Sequence, residues 1–126
     1  MDDRERTVLV VDDEPSVRTI ARRMLEAFGY RVALAPDGAQ AAAIYADRKD
    51  EIAAVITDMM MPVMDGPATI QALKGIRADV RILAVSGLHG RGTDPHEGPS
   101  PSVRHFLPKP YTAATLLAAL REILAE

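Results

Sequence analysis

Three runs of this chain, TVLVV (7–11), IAAVIT (52–57) and RILAVS (81–86), are apolar at successive positions, odd and even alike. A strand with one wet face alternates apolar and polar residues. A run apolar on both faces needs cover on both, which is the pattern of a parallel sheet enclosed by helices. That requirement restricts the fold more than any other feature of the sequence.

The segments between the runs fit. Glu14-Pro15 opens a helix, with proline tolerated in its first turn. Val17, Ile20, Ala21, Met24, Leu25 and Phe28 follow at helical spacing and predict one apolar stripe. Gly29 falls where a helix C-terminus is usually closed. YRVALA (30–35) reads as a strand, and Pro36-Asp37-Gly38 turns the chain into an alanine-rich helix over about 39–48. Gly66-Pro67 starts a helix through Ile70 and Leu73, and VRHFL (103–107) is the last strand. Thr112 is a candidate N-cap for a closing helix carrying Leu116, Leu117, Leu120, Ile123 and Leu124. Strand and helix alternate in an α/β pattern, without repeats or a linker, so 126 residues predict a single domain over 1–126 with its core at about 7–125. The exception is GLHGRGTDPHEGPSPS (87–102), where four glycines and three prolines in sixteen residues oppose the helix the alternation would place there. That helix is expected to be short or disordered and the segment mobile.

Net charge is −3 and the sequence pI about 5.6, which gives no basic field for direct binding to nucleic acid or anionic membranes. The absence of cysteine removes disulfides, thiolate chemistry and cysteine-bound zinc. The charged start MDDRERT has no apolar signal core, and no apolar run reaches the roughly 20 residues of a membrane helix. A cytoplasmic location is expected.

Ligands of an open parallel sheet bind outside the carboxyl ends of its strands. Asp12 and Asp13 follow the first run, Asp58 the 52–57 run, Ser86 ends the 81–86 run, and Lys109-Pro110 follow the last strand. Each has an ordinary reading when taken alone. Asp12 and Asp13 would complement a helix N-terminus, Asp58 and Ser86 would form turns, and Lys109 would be a solvated lysine. Together they bring three carboxylates, a hydroxyl and an amine to one edge from four separate segments. Crowded carboxylates are hard oxygen ligands suited to Mg²⁺. A nucleophilic carboxylate, a divalent metal and a cation are the components needed to hold a phosphoryl group.

VLVVDDE, VITDMMMPVMDG, Ser86 and FLPKP together resemble the receiver domain of two-component response regulators, over the whole chain. The resemblance implies a flavodoxin-like, doubly wound sheet of five parallel strands in the order 2-1-3-4-5. It implies that Asp58 is the phosphoacceptor. It also implies Mg²⁺, with Mn²⁺ as a substitute, held by Asp13 and Asp58, by the backbone carbonyl of Met60 and by Asp12 through a water. Lys109 would pair with the phosphoryl group, Ser86 would hydrogen-bond it, and Phe106 would be the aromatic switch residue beside Ser86. A cis peptide before Pro110 is implied too. The donor would be the phosphohistidine of a sensor kinase or a phosphotransfer domain. The receiver would catalyse its own phosphoryl transfer and lose the group slowly. Met59, Met60 and Met61 read as packing and loop lining, and an apolar Met60 cannot orient a water by hydrogen bonding.

Two other readings are weaker. A Mg²⁺-dependent phosphohydrolase acting through an aspartyl phosphate needs a second carboxylate two residues after the nucleophile, where this chain has Met60. A flavin module needs a phosphate cradle after the first strand, where Asp12-Asp13-Glu14 would repel one. The serine-glycine after the fourth strand and FLPKPY resemble receivers fused to hybrid sensor kinases. His89, His96 and His105 form no phosphoacceptor motif. Cognate kinase, signal, output and oligomeric state are not legible in these residues.

Overall fold

The computed structural model describes residues 6–59, 66–86, 105–108 and 111–125. The expectations for the 87–102 segment, Met60, Lys109 and the peptide before Pro110 lie outside the described residues. The elements are β1 (Thr7–Val11), α1 (Pro15–Ala27), β2 (Arg31–Ala35), α2 (Gly38–Arg48), β3 (Ile52–Asp58), α3 (Gly66–Ile76), β4 (Ile82–Ser86), β5 (His105–Pro108) and α4 (Ala113–Leu124). All strand pairs are parallel and the order is β2-β1-β3-β4-β5. This is the flavodoxin-like order, with the topological switch between β1 and β3.

Both faces of the sheet are covered, as the doubly apolar runs require. On one face Val8 and Val10 of β1, Ala54 and Ile56 of β3, and Leu83 and Val85 of β4 pack with Leu25 of α1 and with Leu116, Leu120 and Ile123 of α4. On the other, Leu9, Val11, Val55, Ile82 and Ala84 pack with Ala41 and Tyr45 of α2 and with Ile70 and Leu73 of α3. Neighbouring residues of one strand therefore belong to different clusters, the period of two that a strand imposes.

Local chemistry sets the helix ends. The Asp37 side chain accepts the Gln40 N–H at 2.8 Å and starts α2. Thr112 and Thr115 cap α4 reciprocally, each side chain accepting the other's backbone N–H. At the end of α1, Gly29 takes a φ of 94°, its N–H bonds to Glu26 O and the Tyr30 N–H reaches back to Leu25 O. This is a Schellman closure, and it needs a residue without a Cβ penalty at the glycine position.

The α1 stripe is only half a core face. Ala21 and Leu25 are buried, Val17 and Met24 are half-buried, but Ile20 and Phe28 are 53% and 49% exposed. Ile20 lies about 100° around the helix from Ala21, off the line that meets the sheet. Phe28 is the C-cap residue, with φ −107° and ψ 13°, so its backbone has already left the helix. Among the described residues no helix is long and apolar enough to cross a membrane.

Candidate functional site

Register creates the site. Val11, the last residue of β1, pairs with Thr57 of β3. The next residues on the two strands, Asp12 and Asp58, therefore emerge side by side at the carboxyl edge. One carboxylate oxygen from each of Asp12, Asp13 and Asp58 lies within 4.8 Å of the others. Asp12 and Asp58 are 3% and 6% exposed, and Asp13 is exposed. Asp58 is itself the last residue of β3 and pairs with Val85, and the Met59 N–H continues the ladder to Val85 O at 2.9 Å. The nucleophile candidate thus stands on strand backbone.

Asp12 is held on three sides. Its N–H donates to Ala35 O at 3.1 Å, tying it to β2. Its carboxylate accepts the Glu14 N–H at 3.0 Å, and its carbonyl accepts Arg18 Nη1 at 2.6 Å. Asp12 therefore organises the start of α1 and also joins the acid cluster. Thr57, fully buried before Asp58, donates its hydroxyl to Asp58 O at 3.3 Å. On the far side of Asp58, Ser86 ends β4 and pairs with Pro108, the residue before Lys109. Phe106 pairs with Ala84 and is half-buried against the cluster on the α2–α3 face.

Three carboxylates this close repel by on the order of 3 kcal/mol per pair at an effective dielectric of about 20. Such an arrangement suits a small divalent ion with oxygen preference.

A sequence comparison decides the family: the response regulator receiver domain matches residues 8–121. The chain is a response regulator receiver domain. The sensor kinase CckA of Brucella abortus is 34% identical over 118 residues, 94% of this receiver and 12% of that protein. The response regulator MprA of Mycobacterium tuberculosis is 37% identical over 118 residues, 93% of this receiver and 50% of MprA. The receiver thus spans half or less of these relatives. The crystal structure of a response regulator receiver domain protein from Clostridium thermocellum superposes with a TM-score of 0.86 at 27% identity, covering 95% of this receiver and 94% of that chain.

Receivers bind Mg²⁺ at an acidic pocket, and the donor set here fits such an ion: three acids on adjoining strand ends, two of them buried. Of the residues named from sequence, the structure brings Asp12, Asp13 and Asp58 together and sets the backbone of Ser86 in the strand neighbouring β3. Phe106 lies on the strand beyond it. Sequence reasoning missed Arg18. Its only signal was an arginine in the first turn of α1, where the helix dipole favours acids.

Proposed function

We propose that this receiver takes a phosphoryl group onto Asp58 from the phosphohistidine of a sensor kinase or phosphotransfer protein. The observation that carries the reading is the cluster of three carboxylate oxygens within 4.8 Å at the ends of β1 and β3. An Asp58 carboxylate oxygen forms a bond to phosphorus as the phosphorus–nitrogen bond to the donor imidazole breaks, and the imidazole leaves with a proton. Asp13, Asp58 and the Met60 carbonyl, with Asp12 through a water, would hold Mg²⁺, or Mn²⁺ in its place. The ion would offset the charge of the incoming phosphoryl oxygens.

Lys109 then pairs with the new phosphoryl group and Ser86 hydrogen-bonds it. The group adds about −1.5 to −2 charge at pH 7. That charge draws Ser86 toward it and lets Phe106 repack, the step by which a local charge becomes a changed surface. The Met60 side chain offers no hydrogen bond to orient a hydrolytic water. The same residue disfavours the phosphohydrolase reading, which needs a carboxylate there. The domain is a switch in cytoplasmic two-component signalling, independent of direct nucleic-acid or membrane contact. The exposed Ile20, in the first half of the helix that starts beside the acids, gives the donor protein an apolar contact.

Incubation with acetyl phosphate or phosphoramidate and Mg²⁺, followed by intact mass measurement, tests this. One added phosphoryl group is expected in the wild type and none in Asp58→Asn. Equal labelling of the two proteins would remove Asp58 from the reaction.

A further inference from the structure

Asp13 presents a geometric problem. It is exposed, and among the described residues no hydrogen bond to its carboxylate is seen, yet that carboxylate lies within 4.8 Å of two buried ones. Its placement depends on the backbone that joins it to Asp12. That peptide unit is planar, so the direction of the Asp12 carbonyl also fixes the direction in which the Asp13 N–Cα bond leaves. The group bonded to this carbonyl is Arg18 Nη1, at 2.6 Å.

We propose that Arg18 is a positioning residue for the acid cluster. Its guanidinium anchors the Asp12 carbonyl and thereby orients the Asp13 carboxylate toward the metal position. The inference rests on reading the cluster as a Mg²⁺ site.

Three observations support it. The bond is short and charge-assisted, the class of hydrogen bond that resists distortion. Arg18 is half-buried, so its side chain is held over the first turn of α1 and not left in solvent. Its position also opposes local preference, since a cation in the first turn meets the positive end of the helix dipole. Among its further bonds, the Asp12 N–H to Ala35 O fixes the β1 side of the residue, and the Glu14 N–H to its carboxylate closes a turn that spans the Asp12–Asp13 peptide. That turn restrains the peptide from the Asp12 side chain, whereas Arg18 holds its carbonyl oxygen directly.

The charge and the geometry of Arg18 act in opposite directions on Mg²⁺. A nearby cation repels the ion, so a purely electrostatic role predicts tighter Mg²⁺ binding when Arg18 is neutralised. A positioning role predicts weaker binding. Outer partners of metal ligands typically account for 10- to 100-fold in affinity, and a backbone-mediated partner belongs near the lower figure, about tenfold. Because the contact is a single hydrogen bond, Arg18→Lys retains both the charge and a donor.

The test is a Mg²⁺ titration of wild type, Arg18→Met and Arg18→Lys without any phosphodonor, followed by amide chemical shifts. Amide exchange at Asp13 and Glu14 is measured beside it in the metal-free proteins. Arg18→Met is expected to bind Mg²⁺ about tenfold more weakly and to exchange faster at these two amides. Arg18→Lys should recover most of both. Unchanged or tighter Mg²⁺ binding in Arg18→Met, with wild-type exchange, overturns the inference and leaves the metal site standing. A wild type without any response to Mg²⁺ overturns the metal-site reading and this inference with it. Melting curves establish that each variant is folded, and Arg18→Gln replaces Arg18→Met should the latter not fold.

Discussion

The two ends of the sheet carry opposite charges arranged in opposite ways. At the carboxyl end, acids crowd together: Asp12, Asp13 and Asp58 lie within 4.8 Å, two of them buried. At the amino end, an open groove of about 850 Å³ is lined by Arg6, Arg31, Arg48, Lys49, Arg77 and Arg81 together with three acids. There the charges are spread out, cations outnumber acids, and two of the cations pair with acids. Arg48 pairs with Glu51 at 2.8 Å and Arg77 with Asp79 at 3.0 Å, all four side chains well exposed. The Asp79 hydrogen bond pushes the Arg77 guanidinium further above its usual range, while burial raises the Tyr45 phenol in the same groove.

One physical rule bears on the sign of the amino end, though no described helix carries an acid in its first turn. In a parallel α/β fold the strand carboxyl ends meet helix N-termini and the amino ends meet helix C-termini. Helix dipoles favour acids at the first and bases at the second. Arg48, Lys74 and Arg121 in the last turns of α2, α3 and α4 follow it. Sign alone therefore says little about function. What separates the ends is that same-sign groups are forced together at one, by strand register and backbone bonds, and relax into pairs at the other.

The largest expected difference between the ends is in phosphoryl transfer. Asp13→Asn should weaken Mg²⁺ binding and slow labelling by acetyl phosphate by tenfold or more, since loss of a ligand from a weakly held ion costs at least about 1.4 kcal/mol. Asp50→Asn at the amino end removes the same charge and should leave the rate unchanged. Parallel rate measurements at fixed Mg²⁺ provide the check. Equal slowing by both would mean that overall charge, and not the crowded site, governs the reaction.

A second, smaller effect concerns coupling. Lys109→Ala should leave the domain folded but reduce the response around Phe106 to a phosphoryl mimic. Without the ammonium, the added charge of about −1.5 to −2 is met on the metal side alone and loses its link toward β5. Amide shifts of Phe106 and Leu107 with and without the mimic provide the measurement. The same shifts in wild type and variant would show that Lys109 does not couple the site to β5.

Much of this was legible in the sequence, for identifiable reasons. TVLVV, IAAVIT and RILAVS announced a covered parallel sheet because their neighbouring residues lie in different cores. The strand order came from resemblance, since no residue pattern states which strands adjoin. The acids were legible because each directly follows or ends an apolar run, so the sheet had to place them at one edge. Arg18 was not, because a side chain bonding a backbone carbonyl leaves no periodicity. The α1 stripe misled because spacing assumes an unbroken helix, whereas Phe28 sits where the helix has ended and Ile20 lies on the flank of the buried face.

The smallest expected effect belongs to the paired charges of the amino end. The Arg48–Glu51 pair has good geometry, 2.8 Å from Nε to Oε2, but its side chains are 39% and 60% exposed. Exposed pairs in water gain little from Coulomb attraction and lose side-chain freedom, so a coupling of at most about 0.5 kcal/mol is expected. Salt should reduce it further, since the Debye length falls to about 3 Å at 1 M. A double-mutant cycle of Arg48→Ala and Glu51→Ala, followed by urea unfolding at low and high salt, measures the coupling directly. A value well above 1 kcal/mol that survives 1 M salt would show that the amino end is also a tightly organised charge site. The contrast between a crowded functional edge and a relaxed structural one would then fail.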